Sequence, residues 1–299
     1  MTYHEPVMRD LCVEGLNLKP EGVYVDVTFG GGGHSKAILG NMKGGRLIAF
    51  DQDKDALVNA PEDERFLLIH DNFRNLKERL NEIGVFEIDG LLADLGVSSH
   101  QFDEADRGFS IRFNASLDMR MDQRGDITAR DILNKYEEHS LIKVFREYGE
   151  LNNARRLAYL IVQARKLSPI DTVDELKKIA SAAAPRAKEN TFYAQLFQAL
   201  RIEVNEELEV LKSMLLQAAN LLKPGGRLVV MSYHSLEDRL VKNLVNTGNT
   251  DGDLKKDLFG NSEGLKLKYI NKKPIEAGEE EVKSNPRSRS AKLRVAERL

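Results

Sequence analysis

A single cysteine, Cys12, is present in the 299 residues of this chain. One cysteine excludes an internal disulfide and any cysteine-based metal cluster, which suits a reducing cytoplasm. Long apolar runs are also missing, since no stretch approaches the ~18 consecutive apolar residues of a membrane span. The first residues lack the basic start and apolar core of a signal peptide. We therefore expect a cytoplasmic protein with no membrane segment and no metal site.

Positive charge is not in excess, because 44 Lys and Arg residues face 47 Asp and Glu residues, which gives a net charge of −3. A general nucleic-acid binder normally carries excess positive charge, since neutralisation of phosphates drives its binding. Any nucleic-acid contact must then come from a local patch. The segment Lys283–Leu299 is such a patch, with one acid, Glu297, and these basic residues: Lys283, Arg287, Arg289, Lys292, Arg294 and Arg298.

The most informative segment present is the glycine-rich stretch that follows Val23–Val27. A β-branched and aromatic run there predicts a buried strand, Gly30–Gly33 predict a sharp turn, and a helix is expected from His34. Glycines permit positive φ and close approach by a ligand. A second strand, Arg46–Phe50, ends at Asp51, about 20 residues further on, where doubly wound folds place a carboxylate on ribose hydroxyls. The pattern predicts a nucleoside-containing cofactor.

Two cofactors compete for this site. A dinucleotide fingerprint requires Gly-x-Gly-x-x-Gly, and the sixth position counted from Gly30 is Ser35. The spacing Asp26-x-Thr28-x-Gly30-x-Gly32 is closer to the acid-and-glycine pattern of S-adenosylmethionine methyltransferases, with Thr28 in place of the first glycine. That cofactor carries a sulfonium and an ammonium but no pyrophosphate, so an acid suits it. We favour S-adenosylmethionine over a nicotinamide dinucleotide.

The order of apolar runs predicts an α/β fold. Short strands alternate with helical segments in the rhythm of a parallel sheet, at Val23–Val27, Arg46–Phe50, Phe66–Ile69 and Ile88–Ala93. Only helical spacing follows until Arg227–Met231, and closing strands are expected at 268–274 and 292–297, separated by an acidic loop at 276–281. We predict a Rossmann-like sheet domain, residues 1–104 and 218–299, with an inserted all-helical substrate-recognition domain, residues 105–217.

A second group of chemically active residues follows the fourth strand. Asp94 ends that strand, where open α/β sheets place their active sites, and Ser98 and Ser99 follow it. An N-cap or turn role for Asp94 is the structural alternative. The glycine-punctuated loop after it carries basic residues, Arg107, Arg112 and Arg120. Ordinary ion pairs with Asp103, Asp106 and Asp118 are an equally good explanation of those arginines.

Several blocks of this chain, from residue 4 to the C-terminus, resemble the signature blocks of the bacterial methyltransferases that modify cytosine N4 in small-subunit (16S) ribosomal RNA. The blocks are His4–Val7, Asp26–Ser35, Asp94–Ser99, Arg107–Ser110, Leu117–Met121, Phe197–Ile202, His234–Arg239 and Asn285–Ser290. The resemblance implies a class I methyltransferase sheet and methylation of a cytidine in the decoding centre. It also implies S-adenosylmethionine contacts from Gly32, Gly33, His34, Asp51, Phe73, Asp94 and Gln101. The segment Asn190–Leu196 departs from the family pattern, which puts substrate contacts there in doubt.

The exocyclic amine of cytosine is a poor nucleophile, so positioning and a nearby hydrogen-bond acceptor should supply most of the acceleration. Asp94 either accepts the hydrogen of the amine or holds the cofactor's ammonium, and Ser98, Ser99 and the stretch 232–234 are alternative acceptors. An unstacked base would stack on Phe109 or Phe113. The expected RNA-contacting residues are Arg107, Arg112, Arg120, Arg201, Asn205, Arg287 and Arg289.

Other functional classes fit less well. A nicotinamide-dependent oxidoreductase is disfavoured by Ser35, and a non-catalytic RNA-binding assembly factor would bind the cofactor poorly. Spacing argues against a metal site built from the histidines and against a hydrolytic set of Ser232, His234 and Asp238. The residues indicate neither an oligomeric state nor whether naked RNA or the assembled small subunit is the substrate.

Overall fold

The computed structural model describes residues 6–254 and 264–299, so the first two residues of the His4–Val7 block lie outside the described residues. The strands are β1 (Val23–Asp26), β2 (Arg46–Asp51), β3 (Phe66–His70), β4 (Ile88–Asp94), β5 (Leu222–Ser232), β6 (Leu267–Tyr269), β7 (Ile275–Glu276) and β8 (Lys292–Arg298). The helices are α1 (Arg9–Leu16), α2 (Gly33–Asn41), α3 (Leu76–Glu82), α4 (Ser99–Asp103), α5 (Ala129–Lys135), α6 (Glu138–Glu147), α7 (Ala154–Arg165), α8 (Val173–Ala180), α9 (Glu189–Asn205), α10 (Glu207–Leu221), α11 (Ser235–Thr247) and α12 (Glu279–Ser284).

One sheet has the strand order β3-β2-β1-β4-β5-β8-β6, with β7 also paired to β8. Strands β1 to β5 pair in parallel, whereas β8 runs antiparallel to β5. The chain leaves β1 towards β2 and β3 on one side and returns to β4 on the other, so the strand order reverses between β1 and β4. Doubly wound folds bind their ligands at this reversal, outside the carboxyl ends of the strands. The predicted Rossmann-like sheet is confirmed.

Alternate residues of the central strands enter different hydrophobic clusters, because successive strand side chains point to opposite faces. Val25, Ile48 and Leu91 pack on one face with α3, α10 and α11. Tyr24, Leu47 and Leu92 pack on the other face with α1 and α2. Both faces of the parallel sheet are therefore covered, and this rigid layer positions the loops at the strand ends.

The chain divides into two compact units, Met1–Gly96 with Leu208–Leu299, and Val97–Glu207. The second unit has a core of its own, formed by α5 to α9. An isolated β-bridge joins Ser116 to Thr172 in this unit. Its bounds lie earlier in the chain than the expected 105–217. The C-terminal boundary of the unit comes before α10 because Leu211, Met214 and Leu215 of that helix pack in the core of the sheet. Helical spacing predicts such a helix but not the core that it joins.

The elements near the C-terminus differ from the predicted ones. Strand β5 begins at Leu222 rather than Arg227, and an irregularity in its pairing between Ile88 and Gly90 accommodates the intervening residues. The acidic segment 276–281 is not a loop throughout, because α12 begins at Glu279. Three glutamates occupy its first turn, where negative charge is favourable to the helix dipole.

In the described part of the chain, no helix is long and apolar enough to cross a membrane.

Candidate active site

The glycine-rich turn connects β1 to α2 at the carboxyl end of the sheet. Gly30 and Gly32 have φ of 52° and 74°, in the left-handed region that favours glycine. A Cβ atom on Gly32 would lie 2.9 Å from the ring of Phe29, and one on Gly33 would lie 2.8 Å from Pro6. Packing within the protein therefore requires both glycines, in addition to any close approach by a ligand.

Asp26 is fully buried at the end of β1, and its carboxylate holds this turn. Its Oδ1 accepts a hydrogen bond from the backbone N–H of Thr28 at 3.1 Å, and its Oδ2 accepts one from the hydroxyl of Ser35 at 2.7 Å. Burial raises the pKa of Asp26, while the charge of His34 and the hydrogen bonds from Ser35 and Thr28 act in the opposite direction. Ser35 is the residue that does not match the dinucleotide fingerprint. Its hydroxyl holds Asp26, the acid of the S-adenosylmethionine pattern.

Asp51 ends the neighbouring strand β2 and holds the turn from the other side. Its Oδ2 accepts the Gly30 N–H at 2.7 Å, and its Oδ1 accepts the Asp53 N–H at 2.8 Å. Burial raises the pKa of Asp51 to about 6, although these two hydrogen bonds lower it. Each carboxylate oxygen retains an acceptor site, so the side chain suits the predicted contact with ribose hydroxyls.

Asp94 lies at the carboxyl end of β4, and a neighbouring group faces each of its oxygens. The hydroxyl of Tyr233 donates a hydrogen bond of 2.8 Å to Oδ1. The Nε2 atom of His34 lies 3.3 Å from Oδ2, close enough for an ion pair but poorly aligned for a hydrogen bond. The backbone N–H of Asp94 donates to the hydroxyl of Thr28 at 2.7 Å. These contacts fix the carboxylate beside the glycine-rich turn.

The acids around His34 and Tyr233 control their protonation. Burial lowers the pKa of His34, but the nearby carboxylates of Asp94 and Asp26 outweigh this effect, so the net shift is upward. Burial and the negative charge of Asp94 raise the pKa of Tyr233 well above its ordinary value. The phenol therefore remains a hydrogen-bond donor at neutral pH.

The sheet brings most of the predicted cofactor residues to one edge. Gly32, Gly33 and His34 follow β1, Asp51 ends β2, and Asp94 ends β4. Phe73 lies in a 3₁₀ turn after β3 and is partly buried against the core. The site includes carboxylates from three neighbouring strands, β1, β2 and β4. A cationic cofactor with ribose hydroxyls, such as S-adenosylmethionine, fits this set of acceptors better than a pyrophosphate does.

Gln101, Ser98 and Ser99 belong to the helical unit and lie at the start of α4. The hydroxyl of Ser98 accepts the Gln101 N–H at 3.1 Å, and Oε1 of Gln101 accepts the Ser98 N–H at 3.2 Å. This reciprocal capping box satisfies the first turn of the helix. The helix that follows β4 is therefore N-capped by Ser98 rather than by Asp94, and the Ser98 hydroxyl and Gln101 Oε1 serve this cap.

The arginine-rich loop of the helical unit is largely held by its own contacts. Arg107 donates to the carbonyl of Arg120 at 2.9 Å and stacks 5.8 Å from the ring centre of Phe109. Arg120 forms the alternative ion pair with Asp118, at 2.7 Å. Phe109 is 5% exposed, so it is the less accessible of the two aromatic residues expected to stack on a base.

Two other residues of this loop are accessible. Phe113 is 41% exposed, and Arg112 is also exposed, with its guanidinium 6.0 Å from the ring centre of Phe102. Phe113 therefore remains the candidate for stacking on a base, beside a basic side chain.

Two further RNA candidates, Arg201 and Asn205, lie on α9 and hold the helical unit together. Asn205 donates to the carbonyls of Met119 and Arg201 at 2.8 Å, and its Oδ1 accepts the Met121 N–H at 2.7 Å. Arg201 forms an ion pair of 2.8 Å with Glu207, and both side chains are largely buried. The amide hydrogens of Asn205 are thus fully used within the protein.

The basic C-terminal segment offers fewer accessible charges than its sequence indicates. Arg289 is exposed and Arg287 half-buried in the 3₁₀ turn Pro286–Ser290. Arg294 is buried in an ion pair of 2.6 Å with Asp238, and Arg298 donates to the carbonyl of Lys266 at 3.0 Å. Arg294 therefore does not extend the phosphate-binding patch.

Two contacts of Asp94, with Tyr233 and Thr28, are not predicted by the sequence. The stretch 232–234 is expected to supply an acceptor, whereas the Tyr233 hydroxyl is a donor. The partners lie 139 and 66 residues apart in the chain, so no local spacing connects them. The only indication in the sequence is that the strands preceding these residues are expected to end at the same edge of the sheet.

Comparison with known proteins identifies the family of this chain. A model of the MraW methylase family matches residues 1–299. Ribosomal RNA small subunit methyltransferase H of Cytophaga hutchinsonii is 56% identical over 298 residues, which cover 99% of each chain. The protein of the same name from Flavobacterium johnsoniae is 54% identical and covers 100% of this chain and 99% of its own. The chain therefore belongs to the MraW methylase family, and the predictions of a methyltransferase and of S-adenosylmethionine as its cofactor are confirmed.

Proposed function

We propose that this enzyme transfers a methyl group from S-adenosylmethionine to the exocyclic N4 amine of a cytidine in the decoding centre of small-subunit (16S) ribosomal RNA. The observation that carries the proposal is Asp94, a partly exposed carboxylate with both oxygens faced by neighbouring groups at the reversal of the strand order. Relatives at 52–56% identity are named ribosomal RNA small subunit methyltransferase H, and this name supports the RNA substrate. The proposed compartment is the cytoplasm.

The cofactor supplies an electrophilic methyl group, and the chain supplies its binding and orientation. We assign the ribose hydroxyls to Asp51, whose oxygens each retain an acceptor site beside the glycine-rich turn. We assign the amino-acid part of the cofactor, which carries the ammonium, to Asp94. Tyr233 and His34 orient this carboxylate, and an oriented carboxylate suits a bound cation.

The amine of cytosine requires alignment above all, since its lone pair is delocalised into the ring. Positioning of two reactants can contribute about 7–11 kcal/mol to lowering a barrier. We propose that the target base leaves its stack and that Phe113 contacts it. Arg112 in the helical unit and, separately, Arg287 and Arg289 near the C-terminus are proposed to bind phosphates. Arg107, Arg120 and Asn205 then act by holding the loop that carries Arg112 and Phe113, and Arg201 acts through its ion pair with Glu207.

The deciding experiment is transfer of tritiated methyl groups to small subunits from cells that lack this protein, followed by nucleoside analysis. We expect label in N4-methylated cytidine, and parallel reactions with naked 16S RNA identify the form of the substrate. Label at another atom would overturn the proposed target. The Asp94→Asn variant is the matched control, with expected weaker cofactor binding and slower labelling.

The same preparation tests the other classes. Calorimetry with S-adenosylmethionine and with NAD should give binding of the former only. RNA binding without any methyl transfer would favour the non-catalytic assembly factor instead.

A further inference from the structure

Tyr233 immediately follows β5 and contacts Asp94 at the end of the adjacent parallel strand. Its hydroxyl donates a 2.8 Å hydrogen bond to Oδ1, while His34 faces Oδ2 from the start of α2 at 3.3 Å. The carboxylate is thus held from two sides by elements that lie on either side of β4. Tyr233 makes a hydrogen bond to Asp94, whereas His34 makes an ion-pair contact that is poorly aligned for one, so Tyr233 contributes most to the orientation of Asp94.

The surroundings of Tyr233 restrict its own position. Its backbone N–H donates to Oε2 of Glu237 at 2.8 Å, and Glu237 is buried. Its ring lies against Gly96, where an added Cβ atom would be 3.4 Å from Cδ2 of the ring. Gly96 has a φ of 95°, so a larger residue is disfavoured there on conformational grounds as well. Both ends of the tyrosine are therefore fixed before any ligand binds.

We propose that Tyr233 is a positioning residue of the cofactor site, which orients the carboxylate of Asp94 towards the ammonium-bearing part of S-adenosylmethionine. This inference rests on the proposed function, in which Asp94 contacts that part of the cofactor. Tyr233 acts through Asp94 and not by contact with the reacting atoms. Removing its hydroxyl should weaken cofactor binding while leaving turnover at saturating cofactor nearly unchanged.

The test is calorimetry of S-adenosylhomocysteine, which retains the ammonium, and of 5′-methylthioadenosine, which lacks the amino-acid part. The variants are Tyr233→Phe, Asp94→Asn and the double variant. We expect Tyr233→Phe to raise the Kd of S-adenosylhomocysteine about tenfold, equivalent to ~1.4 kcal/mol. The Kd of methylthioadenosine should stay unchanged, which also shows that the variant is folded. In the Asp94→Asn background, Tyr233→Phe should have no further effect.

Tyr24→Phe is the matched control. Tyr24 is fully buried, and its hydroxyl accepts the Lys19 N–H at 2.5 Å near the amino end of β1. Its loss should lower stability and leave both ligand affinities unchanged. Additive effects of Tyr233→Phe and Asp94→Asn, or equal losses for the two ligands, would overturn the positioning role. If Asp94→Asn itself leaves the Kd of S-adenosylhomocysteine unchanged, the assignment of Asp94 under the proposed function fails first.

Discussion

The hydroxyl of Ser35 donates a 2.7 Å hydrogen bond to Oδ2 of Asp26, and both side chains are completely buried. The bond joins the first turn of α2 to the end of β1 across the glycine-rich turn. It explains why a hydroxyl residue occupies the position where a dinucleotide fingerprint has glycine. The buried carboxylate needs this donor because water does not reach it.

Ser35→Ala should lower the free energy of unfolding by about 1–3 kcal/mol, because it leaves a buried carboxylate oxygen without one of its donors. Chemical denaturation monitored by circular dichroism measures the change. Ser290→Ala, at an exposed position, is the control and should differ from the unsubstituted protein by less than ~0.5 kcal/mol. Equal stability of the two variants would contradict the structural role of Ser35.

Cofactor affinity should fall as the pH drops through about 6. Burial raises the pKa of Asp51 to about 6, and a protonated carboxyl loses acceptor capacity for ribose hydroxyls. Calorimetry of 5′-methylthioadenosine between pH 5 and 8 isolates this contact from that of Asp94. In Asp51→Asn the step near pH 6 should disappear. An unchanged step in that variant would assign the titration to another group.

The stability contribution of Asp51 has the opposite pH dependence. Because the folded-state pKa exceeds the ordinary 3.8, the folded protein retains this proton more strongly than the unfolded chain does. Its contribution to stability therefore falls as the pH rises from about 4 to about 6. Comparing the unfolding free energies of the unsubstituted protein and Asp51→Asn across this range measures the contribution. A difference that does not vary with pH would contradict the raised pKa.

Asn205→Ala should loosen the loop around Met119 and Met121 rather than change phosphate binding. The substitution removes the acceptor of the Met121 N–H and the donor to the Met119 carbonyl, at a cost of about 1–3 kcal/mol. Hydrogen exchange of the Met121 amide should accelerate, whereas the salt dependence of RNA binding should keep its slope. Asn152→Ala, on the exposed surface of the same unit, provides the comparison.

Arg287→Glu combined with Arg289→Glu should weaken RNA binding and flatten its dependence on salt. Each phosphate contact contributes roughly 0.7 to 0.9 to the slope of log K against log salt concentration. A control of equal charge change, Arg74→Glu with Lys77→Glu, reverses two exposed basic residues, one in the turn before α3 and one in α3. If both pairs alter the slope equally, the effect reflects net charge, and the local phosphate role of the C-terminal segment is refuted.

Local patterns predicted the parallel strands well, because short runs of β-branched and apolar residues are typical of strands covered on both faces. The observed β2 and β3 each extend one residue beyond the predicted Phe50 and Ile69. The beginning of β5 was harder, since Pro224 and the glycines after it are typical of a turn. Pairing with β4, which is remote in sequence, overrides that local preference.

The candidate site was predictable wherever one residue ends a strand, as Asp51 and Asp94 do. The sequence does not distinguish polar side chains that are available to bind RNA from those whose polar groups are occupied within the protein. Arg120 and Asn205 carry the polar groups of RNA contacts, but Asp118 and the backbone around Met119 occupy them. Their partners depend on tertiary packing, which charge and helical spacing do not encode.

Strand β4 pairs with β1 along one edge and with β5 along the other, and the whole helical unit lies between Asp94 and Leu222 in the chain. During synthesis at ~5–20 residues per second, β5 leaves the ribosome on the order of ten seconds after β4. The helical unit, rich in local contacts, can fold within that interval, but one edge of β4 keeps unpaired backbone groups until β5 arrives. Each nascent chain therefore passes through a stage in which its central strand is open to pairing with other chains, and the length of the helical insert sets the duration of that exposure.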